Sequence, residues 1–124
     1  MKMSTETLNK LLSMARETLD ASLKNNRSQA IVILTQIGNI YCFYAPWEEY
    51  CATEDQIVTI LAEKNDTAVA AVLGMWEDGC VDVVSYKLRE KLVTLDERNR
   101  EALLVLQGQA GYVVRTIDAS IVKK

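Results

Sequence analysis

The sequence predicts an α/β fold, a three-layer sandwich in which a mixed sheet of about five strands carries helices on both faces. Three observations point there. Stretches with helical apolar spacing alternate with short runs rich in β-branched and aromatic residues. One run, Ala68–Leu73, is apolar without interruption, as a strand covered on both faces must be. The resulting order, α-β-β-α-β-α-β-β, is that of a layered sandwich.

Residues 4–24 read as the first helix. Leu8, Leu11, Leu12, Ala15, Leu19 and Leu23 form one stripe at i, i+3, i+4 spacing, with Ser4 or Thr5 as cap. Asn25-Asn26-Arg27-Ser28 breaks it. Ala30–Leu34 and Ile40–Tyr44 flank Gln36-Ile37-Gly38-Asn39, a hairpin signal, and Ala45–Tyr50 follows as a loop. A second helix is predicted from Thr53, where Thr53-Glu54-Asp55-Gln56 matches a capping box, until Lys64-Asn65-Asp66. After strand Ala68–Leu73 and the turn Glu77-Asp78-Gly79, Cys80–Val84 leads to a third helix near Ser85 with Leu88, Leu92 and Leu95 as its core stripe. Ala102–Leu106 and Tyr112–Thr116, joined by Gly108-Gln109-Ala110-Gly111, are the last strands.

Composition bounds the function. A single proline and five glycines leave no obvious linker, so residues 1–124 are expected to form one domain. A net charge of −3 argues against a nucleic-acid platform, which carries a basic stripe. No apolar run approaches a bilayer's thickness and the start is polar, so neither a membrane span nor a secretory leader is expected. Three cysteines without framework spacing suit reduced thiols, and hence a cytoplasmic protein.

Several local features agree with one known arrangement. A hairpin ends in a loop leading to Cys51-Ala52, a buried strand ends at Gly74, and a turn leads to a helix start at Ser85. Leu88-Arg89-Glu90-Lys91-Leu92 is similar to a Cys-Arg-Gln-x-Leu motif, and a strand-turn-strand ends in Arg115-Thr116-Ile117-Asp118. Taken in order, the chain resembles the cytidine deaminase-like superfamily, in particular its small cytidine and blasticidin deaminase type. The resemblance implies a zinc ion held by one His or Cys at one helix start and two Cys at the next, which activates water. A Glu two residues after the first ligand would then shuttle protons.

The residues needed for that chemistry are largely missing. There is no histidine in the chain. With Cys51 as first ligand, the shuttle position falls on Thr53; with Glu54 as shuttle, the ligand position falls on Ala52. Ser85 and Leu88 stand where the Cys pair belongs, and one thiolate cannot make the three-ligand open site of catalytic zinc. The substrate motif Asn-x-Glu-Asn has no match, and only Arg89 survives from the second motif. Zinc is therefore not expected as a cofactor. Cys51, Ser85 and Leu88 read as vestigial metal positions and Glu54 as a vestigial base.

Plainer roles are available to each. Glu54 suits the first turn of a capped helix, and Ser85 suits an N-cap. Cys42, Cys51 and Cys80 leave open an alternative thiolate site, although buried free cysteine is common. Tyr44, Trp47, Tyr50, Trp76 and Tyr86, with Thr53 and Arg89, gather around the mouth of the implied pocket, as a plug, an interface or a stacking surface. The expected function is a catalytically inactive deaminase-like protein acting as an oligomeric interaction or binding module. A homo-oligomer and a nucleoside-like ligand are the expected partners. The alternatives are a nucleoside-binding protein, a residual deaminase with a rebuilt site, or a roadblock- or profilin-like scaffold. The last is distinguished by whether Ala102–Leu106 runs parallel to Ala68–Leu73.

Overall fold

The computed structural model describes residues 3–22 and 27–121. Helix α1 spans Thr5–Asp20 and is capped by Ser4, whose side chain accepts from the Thr7 amide. It ends earlier than the leucine spacing implies; Leu23 and Asn25-Asn26 lie outside the described residues. Strands β1 (Ser28–Thr35) and β2 (Ile40–Pro46) form the hairpin. Gly38, at φ 96°, makes the tight return, and the Thr35 amide bonds to the Asn39 carbonyl at 2.9 Å.

The start of α2 corrects the sequence reading. In place of a loop up to Thr53, a 3-10 turn at Trp47–Glu49 runs straight into α2, Tyr50–Glu63. Thr53 lies one turn inside the helix, and its hydroxyl donates to the Glu49 carbonyl at 3.1 Å instead of capping. With no capping box, Glu54 is not a solvated first-turn acid. It faces inward and is 2 % exposed. Asn65, at φ 52°, turns the chain away after α2.

Strand β3 covers Val69–Trp76, three residues longer than the apolar run at its C-terminal end. Met75 bridges to Val81 and the Trp76 amide bonds to the Cys80 carbonyl, so the strand is paired to its last residue. Helix α3 (Tyr86–Leu95) begins as predicted: Ser85 is its N-cap, accepting from the Leu88 amide at 3.1 Å. Strands β4 (Leu103–Gly108) and β5 (Gly111–Thr116) precede a short α4, Ile117–Ser120.

The five strands form one mixed sheet in the order β2-β1-β3-β4-β5. β1 is antiparallel to both neighbours, β4 and β5 are antiparallel, and β3 runs parallel to β4. That parallel pair settles the topology against an antiparallel meander. Because side chains alternate along a strand, β1 feeds two cores. Ala30 and Val32 pack with Leu11, Ala15 and Leu19 of α1. Ile31 and Ile33 pack on the other face with Ile57 and Leu61 of α2 and Leu88 and Leu92 of α3. Each fully buried leucine or isoleucine contributes roughly 1.5–3 kcal/mol, so both helical layers are held chiefly by apolar burial. The start of β1, the end of β3 and two helix starts, those of α2 and α3, thereby meet at one end of the second core.

Candidate functional site

A cavity of about 440 Å³ opens where α2 and α3 begin. Trp47, Tyr50, Trp76 and Val83 wall it, the buried Glu54 and the half-buried Ser85 line it, and the exposed Cys51 and Lys87 flank it. The three aromatic rings touch mutually, with centroids 6.3–6.5 Å apart. The Arg27 guanidinium lies 4.7 Å over the Trp76 ring and 5.9 Å from that of Trp47, a cation–π contact that holds the outer wall.

The polar floor is fully partnered. The Ser85 hydroxyl donates to Glu54 Oε2 while its oxygen accepts from the Leu88 amide. Lys91 Nζ stands 3.4 Å from Glu54 Oε1 and donates to Asp55 Oδ1 at 2.7 Å. Asp55 above all, with Glu54 behind it, holds the Lys91 ammonium above its ordinary pKa, so it is charged at neutral pH. Tyr50 adds a second arm. Its hydroxyl donates to Gln29 Oε1 at 2.5 Å and accepts from the Ser85 amide at 3.3 Å. Burial pushes the Tyr50 pKa up to about 12, with the charge of Glu54 adding and the Ser85 amide opposing.

Gln29 then reaches across β3 to the Asp82 carbonyl at 3.3 Å. Gly74 makes this crossing possible: a Cβ there would come within 2.8 Å of the same carbonyl oxygen and closer still to the Gln29 amide. Asp82 in turn accepts from the Trp76 indole at 3.4 Å.

Of the residues singled out in the sequence, Cys51, Glu54, Ser85, Trp47, Tyr50 and Trp76 meet at this cavity. Leu88 does not; it is wholly buried in the core with Leu92 and Ile57. Tyr44 packs on the opposite face of the sheet, in the α1 core, with its hydroxyl accepting from Ser28. Tyr86 points to solvent under the Arg89 guanidinium, 5.5 Å away. Arg89 itself donates to the Ser85 and Ser120 carbonyls, tying α3 to the end of α4. Cys42, Cys51 and Cys80 are exposed rather than buried.

Gln29, Asp82, Lys87 and Lys91 join the site without having been anticipated. Gln29 carried the clearest signal, a polar residue heading an otherwise apolar strand. Lys91 carried none, because a lysine on a charged helix face is ordinary.

The zinc implied by the sequence resemblance does not fit these residues. Serine is a poor ligand whose hydrogen is already given to Glu54, leucine offers no donor, and the Lys91 ammonium opposes a second cation beside the carboxylate. Among the described residues no group of three or more His, Cys, Asp or Glu is placed to hold a metal ion. Nor, among them, is any helix long and apolar enough to cross a membrane.

The mixed sheet, its parallel β3–β4 pair and the paired helix openings define a cytidine deaminase-like α/β sandwich. The cytidine deaminase from Mycobacterium leprae superposes with a TM-score of 0.70 at 13% identity, over 94% of this chain and 98% of that one. The enzyme from Bacillus anthracis gives 0.70 at 12% identity, over 90% and 84%. That from Mycobacterium tuberculosis gives 0.65 at 13%, over 91% and 92%. The likeness is one of fold. No family model matches the chain, and no curated protein matches it.

Proposed function

We propose that this chain is a catalytically inactive protein of the deaminase fold that works as a binding module, with the aromatic-walled cavity as its binding site. One observation carries the reading: the Glu54 carboxylate is engaged by the Ser85 hydroxyl on one oxygen and by the Lys91 ammonium on the other. A proton shuttle needs a free carboxylate next to an activated water. Here the carboxylate joins two helices. The cavity is within the size range of small-molecule sites and combines apolar walls with a few convergent polar groups. A nucleoside-like ligand, suggested by the deaminases of like fold, is the first class to test.

Metal analysis of the purified protein and an assay for ammonia release from cytidine test inactivity; stoichiometric zinc or turnover overturns it. Thermal-shift screening with nucleosides tests binding, since a ligand held only by the native state raises the melting temperature.

A second role, self-association, is favoured by Trp47, which is 63 % exposed beside the cavity. Light scattering decides it: a homo-oligomer is expected, and a monomer at all concentrations removes this part of the reading.

A further inference from the structure

Glu54 stands between two cavities. On one side is the aromatic-walled cavity, to which Ser85 belongs. On the other, a cavity of about 530 Å³ lies between α2 and α3, lined by Val58, Leu95, Asp55 and Lys91. The two carboxylate oxygens divide accordingly. Oε2 takes the Ser85 hydroxyl, and Oε1 faces the Lys91 ammonium at 3.4 Å. Lys87 lines both cavities.

Without Lys91, this wall would be a carboxylate only 2 % exposed, beside three aromatic rings. Such a site attracts cations twice over, through the charge and through the ring faces. Lys91 cancels the first attraction from behind, and Lys87 adds like charge at the cavity itself. Arg27 already occupies one face of Trp76, weakening the second. What stays on offer is flat apolar surface, the Glu54 and Ser85 oxygens as acceptors, since the one hydrogen of the Ser85 hydroxyl already points at Glu54, and the Lys87 ammonium beside them.

We propose that Lys91 sets the charge specificity of the aromatic cavity, so that it takes a neutral, planar aromatic molecule bearing a hydrogen-bond donor and disfavours the cationic counterpart. This rests on the binding-module reading and names its ligand class. Lys91 acts from outside the cavity, through Glu54, as a positioning and neutralising residue.

The test uses two probes that share one ring: tryptophol, which is neutral, and tryptamine, which is cationic. Calorimetry on the full chain is expected to show tryptophol binding more tightly. In Lys91→Met the order reverses, with the tryptamine-to-tryptophol affinity ratio rising about tenfold or more as a bare carboxylate faces the ammonium. Lys91→Gln, which keeps a donor toward Glu54, serves if the methionine variant does not fold. In Glu54→Gln with Lys91→Met, the neutral preference returns. A folded Lys91 variant with an unchanged ratio overturns the proposal while leaving the cavity a binding site. Failure of both probes to bind the wild type overturns the proposed ligand class, while the nucleoside thermal-shift screen separately decides the binding reading.

Discussion

The Ser85 hydroxyl donates to the Glu54 carboxylate, closing the opening of α3 onto the second turn of α2. The same serine oxygen caps α3 by accepting from Leu88. One side chain thus serves the helix end and the helix pair together.

Ser85→Ala removes both bonds and leaves a buried carboxylate oxygen short of a partner. A loss of about 1–3 kcal/mol is expected from the cap and the unpaired acceptor. Urea unfolding of the variant checks it. Ser85→Thr, which keeps the hydroxyl, recovers most of the loss.

Tyr50 makes the site respond to alkali. Its pKa is raised to about 12 in the folded protein, above the ordinary value near 10. The folded form therefore holds the proton more tightly, and the associated stability is complete below pH 10 and fades as pH climbs toward 12. Tyrosinate absorbance is expected to show Tyr50 titrating late, together with Tyr41, which burial and Asp66 also raise, and Tyr50→Phe to remove part of that late amplitude. Unaltered titration in the variant would show the assignment to be wrong.

Asp96 makes the fold respond to acid. Bonded first of all by the Arg98 guanidinium and also by Thr67, its carboxyl is held well below the usual carboxylate range. A depressed value stabilises the fold above the ordinary carboxylate pKa, and that contribution drains away as pH falls below about 4. Asp96→Asn is expected to be less stable than the wild type at neutral pH, with the gap narrowing in acid. Parallel stability curves at every pH would contradict it.

Two buried polar residues staple the loops around α2 and α3. Asn99 accepts from the Val69 amide at 2.7 Å and donates to the Thr67 and Leu92 carbonyls. Asp66 accepts from Thr35, Asn39 and Tyr41, joining the β1–β2 turn to the end of α2. Asn99→Ala and Asp66→Ala each remove several hydrogen bonds at once, so losses of about 2–3 kcal/mol are expected for each. Both anchor the 66–69 segment, Asp66 directly and Asn99 through Thr67 and Val69, so the double variant should depart from additivity. Chemical denaturation measures all three.

Much of the architecture was legible because it rests on periodicity. The stripe of Leu11, Ala15 and Leu19, the Ser85 cap and the unbroken run in β3 each follow from local pattern and read correctly. Thr53 misled for a local reason as well: a Thr three residues before Gln looks like a capping box. The helix starts three residues earlier because the 3-10 turn at Trp47–Glu49 delivers the chain already coiled. The earlier start places Glu54 in the second turn, where it packs against the start of α3, rather than among the open amides of a first turn. Tyr44 went astray on parity. Neighbouring strand residues point to opposite faces, and nothing in the order of aromatics says which face holds the cavity.

From the sequence alone came the layered α/β class, the deaminase-like order and the lack of a zinc ligand set, since periodicity and residue identity are properties of single positions along the chain. Only the tertiary structure decided that Glu54 is buried against Ser85 and Lys91, that Tyr50 bonds Gln29, and that Leu88 is core. Those pairings join residues 20 to 40 positions apart across helix and sheet. Their geometry is set by how two helices dock on a sheet, which no local spacing encodes.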